Sequence, residues 1–141
     1  MPTRTADAEW TGDLPTGGGH MRLGSGAFDG PFDFRSRMGE GAGTNPEELL
    51  GAAHAGCFSM ALAAQLGAAG FKPESIKSHA KVHFGQVEGG WAIQRIDLIT
   101  EAQVPGATAE QFEEQALAAK KGCPVSKALA SVEITLDARL V

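Results

Sequence analysis

Two cysteines, Cys57 and Cys123, carry the strongest nucleophilic and redox potential in this sequence of 141 residues. The reactive form of a cysteine is its thiolate, so the chemistry open to each depends on what its neighbours do to the anion. Sixty-six positions separate the pair, with no C-x-x-C spacing. Cys123 stands directly before Pro124, a residue suited to the first turn of a helix. A helix N-terminus favours an anion and would lower that thiol's pKa. Burial as a small hydrophobe is an equally good account of both cysteines. His54 lies three residues before Cys57, one helical turn away, where an imidazole would stand near the sulfur. That pairing would suit a Cys-His hydrolase, but no third group to orient the ring and no oxyanion-hole motif accompanies it. A histidine used in helix packing is the other reading.

The remaining candidates are weaker. His79 and His83 fall on an alternating strand pattern, where four residues at about 3.3 Å each part them by roughly 13 Å, too far to share one metal ion. Their pattern of alternating Lys and His is that of a solvated strand face. "GSGAFDG" and "GEGAG" are glycine-rich, yet neither has the arrangement of a dinucleotide or Walker loop, and turns account for them.

Cys57 belongs to "EELLGAAHAGCFSMALAAQLGAAGF", Glu47 to Phe71, in which 23 positions follow the acidic pair without a charge. The stretch is long enough to span a bilayer. It is, however, mostly Ala and Gly with His54, Ser59 and Gln65, and it lacks basic or aromatic flanks. A helix apolar on every side and built of small residues suits a soluble core, wrapped by sheets or by a partner chain. Thr44 or Asn45 is its expected N-cap, Pro46 its first turn, and Glu47 or Glu48 the completion of a capping box; the expected end is near Gly70.

Around that helix the pattern is mainly of strands. "ADAEWTGDL" and "GHMRLGSG" flank "PTGGG" as two strands and a turn, and "FDFRSRM" alternates as a third. "SIKSHAKVHF" places Ile76, Ala80, Val82 and Phe84 inward. "WAIQRIDLITEAQV" returns with a change of parity between Ile93 and Ile96, which predicts a bulge or burial on both faces. A helix with a Thr108 to Gln111 capping box and a Phe112, Ala116, Ala119 stripe follows. A short helix then begins at Pro124, and "SVEITLDARLV" closes the chain as a strand with Val132, Ile134, Leu136 and Leu140 on one face. The order βββ-α-ββ-α-α-β, with strands in runs, predicts an α+β class and a single domain over residues 1–141.

Composition narrows the function classes. The chain is 43% hydrophobic and 21% charged with a net charge of −5, which suits a globular fold and argues against a nucleic-acid surface. The opening "MPTRTADAEW" has no apolar run of a secretory signal, so a reducing cytoplasm is expected, where two cysteines do not form a structural disulfide framework.

"GEGAGTNPEELLGAAHAGCFSMALAAQLGAAGF", "AKKGCPVSKAL" and the terminal "EITLDARL" together resemble the OsmC/Ohr family, the osmotically inducible protein C and organic hydroperoxide resistance proteins. The resemblance covers nearly the whole chain, and His54 in "AAHAGCFSM" resembles the OsmC branch. It implies antiparallel sheets around a long buried central helix, and a thiol peroxidase that reduces organic hydroperoxides, and hydrogen peroxide, to alcohols. It implies Cys57 as the peroxidatic and Cys123 as the resolving cysteine, joined in a disulfide at each cycle. It also implies Glu47 of "TNPEEL" as the site carboxylate and Arg37 as the guanidinium, selected over Arg35 by the family pattern alone. Neither cofactor nor metal is implied; an external dithiol, of lipoyl type, is the implied reductant.

Ten residues of straight helix between Glu47 and Cys57 amount to about 15 Å. Either the helix breaks near Gly51 or Gly56, or the charged pair reaches Cys57 from a second chain. An intertwined homodimer is expected, with Phe58, Met60, Leu62 and His54 lining an apolar pocket. The rival functions are the Cys-His hydrolase and a non-catalytic binder of apolar ligands.

Overall fold

Strand-forming alternation and turn chemistry generate the first segment of the computed structural model, which describes residues 1–141. The chain resolves into two compact units, Met1–Leu49 and Leu50–Val141. In the first, β1 (Ala6–Thr11), β2 (Gly18–Leu23) and β3 (Asp29–Phe32) form an antiparallel meander in which Trp10 faces Gly19 and Gly19 faces Phe32. The Trp10 and Phe32 rings meet at 5.6 Å.

The strand expected to continue through "FDFRSRM" stops at Phe32, and Phe34–Arg37 forms the short helix α1. Local capping overrides the two-residue alternation. Asp33 is extended and its carboxylate accepts from Ser36 N–H at 2.7 Å, while the Ser36 hydroxyl accepts from Asp33 N–H at 2.9 Å. That hydroxyl also donates to the Thr44 carbonyl at 2.8 Å, which ties the returning loop to α1. The loop needs Gly43: its φ of +117° is closed to most side chains, and a Cβ there would stand 2.8 Å from the Pro31 carbonyl oxygen. Thr44 N–H donates to that same oxygen at 3.0 Å.

Helix α2 (Pro46–Ala68) follows, capped by Asn45, whose side chain accepts from Glu48 N–H at 2.8 Å. Thr44 donates to the Glu48 carboxylate at 2.8 Å, so the two candidate caps divide the work. α2 is unbroken through Gly51 and Gly56.

In the second unit β4 (Ser75–Val87), β5 (Gly90–Gln103) and β6 (Glu133–Leu140) form one sheet. β4 and β5 are antiparallel, with Phe84 facing Ile93 and His83 facing Arg95, so Gln94 is the extra residue of a bulge where the parity changes. β5 and β6 pair parallel, a departure from the expected antiparallel sheet. The connection between them carries α3 (Ala109–Gly122) and α4 (Pro124–Ala128), and such a crossover returns the chain in the same direction. Thr108 and Gln111 form the anticipated capping box of α3. Asp97 links all three strands: it accepts from Thr135 at 2.6 Å, from His83 at 2.7 Å and from Arg95 at 2.9 Å. The Thr135 hydroxyl foremost, then His83, holds its carboxyl well below the usual carboxylate range.

The core joins Phe58, Leu62 and Leu66 of α2 to Ile96, Leu98 and Ala102 of β5 and to Phe112, Ala116 and Ala119 of α3. Full burial of a side chain such as Phe58 or Leu62 contributes about 1.5–3 kcal/mol. α2 lies close to β4: a Cβ on Gly51 would meet Val82 Cγ2 at 3.4 Å, and Ser59 donates to Ser78 at 2.7 Å. The helix has the length and composition of a membrane span, and one face of it is packed into the core through Phe58, Leu62 and Leu66. It is not enclosed on every side as the sequence predicts. Gly51, His54, Phe58, Leu62 and Leu66 are buried, whereas Ala52, Ala53, Gly56, Met60 and Ala64 are exposed.

Candidate active site

The second unit brings the two sulfurs together. Cys57 is on the fourth turn of α2 and Cys123 links α3 to α4, yet their Sγ atoms are 3.0 Å apart, with both thiols free. That distance exceeds the roughly 2.05 Å of a disulfide and lies within thiol hydrogen-bonding reach. The Cys123 thiol donates to the Cys57 sulfur, so the two titrate as a pair. Burial, followed by the hydrogen bond with Cys123, pushes the Cys57 thiol up. Burial acts in the same direction on Cys123 but loses: the contact with Cys57 and the polar groups of Ser126 and Val125 at the start of α4 together lower it. Cys123 is the N-cap of α4, with Pro124 in the first turn, and its side chain makes no cap hydrogen bond. Cys57 is half-buried and Cys123 fully buried.

The first unit contains the charged pair. Arg37 Nη2 donates to Glu47 Oε1 at 2.7 Å and Arg37 Nε to the same oxygen at 3.1 Å. The Glu47 side chain is 8% exposed and that of Arg37 42%, so a buried carboxylate anchors a guanidinium that still reaches solvent. The helical form of α1 separates the two arginines. Residues two apart on a helix diverge by about 200°, whereas on the expected strand Arg35 and Arg37 would have pointed the same way. Arg37 is the one joined to Glu47.

His54 is fully buried, and its Nε2 is 2.7 Å from the Ser126 hydroxyl. Its Nδ1 has no hydrogen-bond partner, and burial pushes its pKa down. The imidazole therefore pairs with Ser126, not with the Cys57 sulfur as a Cys-His hydrolase would need. Of the other residues expected to line a pocket, Phe58 and Leu62 are buried in the core and Met60 is 77% exposed. Ser126 is absent from the sequence expectations. The signal for it was its place three residues after an N-cap, one turn from Cys123; nothing local pointed to a partner 72 residues upstream.

A model of the OsmC-like protein family matches residues 39–137. Over 138 residues the chain is 47% identical to Peroxiredoxin OsmC of Escherichia coli (strain K12), covering 97% of this chain and 96% of that protein. Its fold matches an organic hydroperoxide resistance protein from Elizabethkingia anophelis with a TM-score of 0.72 and 26% identity, over 99% of this chain and 96% of the other. The organic hydroperoxide resistance protein OhrB of Bacillus subtilis matches with a TM-score of 0.72 and 25% identity, over 95% of this chain and 97% of the other.

Proposed function

The chain belongs to the OsmC-like protein family, and from that premise we propose that it is a thiol-dependent peroxidase reducing organic hydroperoxides to alcohols, with Cys57 as nucleophile and Cys123 as resolving cysteine. The observation that carries this reading is the 3.0 Å approach of two sulfurs 66 residues apart.

The Cys57 thiolate attacks the terminal oxygen of the hydroperoxide. The O–O bond breaks, the sulfur becomes a sulfenic acid, and the departing alkoxide takes a proton to become the alcohol. Cys123 then attacks the sulfenic sulfur, expels hydroxide as water and closes the disulfide before the sulfur can be oxidised further. An external dithiol, of lipoyl type, reopens it.

Attack requires thiolate, and a thiol with an ordinary pKa near ~8.5 is only a few per cent ionised at neutral pH. Burial works further against Cys57. A guanidinium beside the sulfur reverses that balance and donates to the peroxide oxygens. Arg37, aimed by Glu47, is that group in this reading. Glu47 is ten residues from Cys57 along an unbroken helix, about 15 Å of rise. The working form is therefore a homodimer in which the partner subunit's Arg37 serves each sulfur pair. The exposed small-residue side of α2, with Met60, suits such a contact and an apolar pocket for alkyl hydroperoxides. All 141 residues act as one OsmC-like domain, in the reducing cytoplasm that free thiols require.

Thiol titration around one equivalent of cumene hydroperoxide tests the function. Loss of both thiols per peroxide, with one intramolecular disulfide and one alcohol formed, is expected. Retention of both thiols, or hydrolysis of esters dependent on His54 and indifferent to Cys123, would overturn it.

A further inference from the structure

We propose that His54 is a positioning residue: its hydrogen bond to Ser126 is the second of two contacts that hold the start of α4 on α2, and it keeps Cys123 within reach of Cys57 whenever the two sulfurs are not covalently joined. The inference deepens the peroxidase reading and rests on Cys123 being the resolving cysteine.

The geometry is that of two rungs. Cys57 and Cys123 meet at 3.0 Å, and three residues away along each segment His54 Nε2 and Ser126 Oγ meet at 2.7 Å. The order is reversed between the segments, His54 with Ser126 and Cys57 with Cys123, so both contacts join one stretch of α2 to one turn of the returning chain. On α2 the rungs are a turn apart, about 4.5 Å of rise. A single contact leaves a segment free to pivot about it; two do not.

α4 needs such a fixture. Its five residues, Pro124–Ala128, are too few to sustain a helix by their own hydrogen bonds, and Cys123, its N-cap, makes no side-chain cap bond. Ser126 is the one buried residue of α4, and it is polar. His54 and Ser126 are both shielded from water, which makes their hydrogen bond stronger than one at the surface. The imidazole stands there at a cost, because Nδ1 is buried without a partner where an aliphatic side chain would leave nothing unpaired. What the ring adds, and a leucine would not, is the bond to Ser126.

The second rung acts at two moments. Once hydroperoxide has converted Cys57 to its sulfenic acid, the Cys123 sulfur forms the S–S bond as the S–O bond breaks, and hydroxide leaves with the thiol's proton as water. The sulfurs must close from 3.0 Å to roughly 2.05 Å. A partner held in place covers that distance before a second hydroperoxide can oxidise the sulfenic acid further. After an external dithiol has reduced the disulfide, no covalent bond joins the segments, and the His54 contact keeps Cys123 beside Cys57 for the next cycle.

Closure can be timed without peroxide. One equivalent of dithiobis(nitrobenzoate) loads Cys57, the half-buried sulfur, as a mixed disulfide and releases one coloured thiolate; attack of Cys123 on the Cys57 sulfur then closes the disulfide and releases the second. Ser126→Ala, which removes a single hydroxyl, should slow the second release about tenfold and the first much less. His54→Leu should do the same, and His54→Gln, whose side-chain amide stands about where Nε2 does, should restore most of the rate. The double variant His54→Leu, Ser126→Ala should be no slower than either alone, since both remove one bond. Under cumene hydroperoxide the slow variants should accumulate sulfinic Cys57 at about a tenth of the peroxide that the unsubstituted protein requires. A second release as fast in Ser126→Ala as in the unsubstituted protein would overturn the proposal, and this variant decides alone if those at His54 do not fold. So would equal slowing by His54→Leu and His54→Gln, the mark of a ring used only for packing. A protein that closes as expected here yet leaves cumene hydroperoxide intact would fail the peroxidase reading and not the positioning role.

Discussion

Met1–Leu49 and Leu50–Val141 hold different kinds of chemistry, assembled by different means. In the first, the ion pair is made by local chain geometry: Arg37 and Glu47 are ten residues apart, placed by a capped helical turn and the start of α2. In the second, Cys57 and Cys123 are 66 residues apart and meet only because α3 and α4 return the chain beside α2. Charge is thus positioned by capping, and sulfur by core packing. The lesson is that the two should fail separately: cap lesions should spare the sulfur contact, and core lesions should spare the ion pair.

The largest effect tests the sulfur side. Cys57→Ser should lower kcat/KM for cumene hydroperoxide by about a thousandfold or more, whereas Cys123→Ser should complete one turnover and accumulate overoxidised Cys57, visible by mass spectrometry. On the charge side, Arg37→Ala should cost about a hundredfold in kcat/KM and Glu47→Gln about tenfold, with the sulfurs still able to form a disulfide under a chemical oxidant. Mixing Arg37→Ala and Cys57→Ser chains sharpens the point: if each dimer site draws on both chains, about a quarter of the wild-type activity should return. No recovery, despite subunit exchange, would place both pairs of a site in one chain. A smaller effect is expected from Asp33→Ala, which removes the cap of α1. It should cost about 1 kcal/mol on urea unfolding and loosen the aim of Arg37, leaving the Cys57 and Cys123 titration in place.

The smallest concerns pH. Burial gives His54 a lower pKa in the folded chain than its unfolded value near 6.5. The unfolded state therefore binds the proton more readily, so the His54 contribution is complete above about pH 6.5 and is lost as pH falls below it. The urea midpoint should drop between neutral and mildly acidic buffer, and His54→Phe should flatten that slope.

Much of this was legible in the sequence because the signals were local. The bulge opposite His83 and Phe84 was visible in the parity of Ile93 and Ile96, and the capping box of α3 in Thr108 and Gln111. "FDFRSRM" misled because its alternation imitates a strand, while Asp33 and Ser36 cap a turn at the same place. The parallel pairing of β6 depends on how α3 and α4 cross the sheet, which no strand records by itself. The meeting of His54 with Ser126 is equally non-local. Two buried polar residues far apart in sequence carry no mark of each other.

Gly43 offers a test of how far from the sulfurs a damaging change can lie. Its backbone angle and its closeness to Pro31 leave no room for a side chain. In a genetic screen for bacteria killed by organic hydroperoxide, substitutions at this glycine should therefore be recovered alongside those at the cysteines. Such alleles would mimic loss of a reactive group while all four of Cys57, Cys123, Arg37 and Glu47 remained encoded.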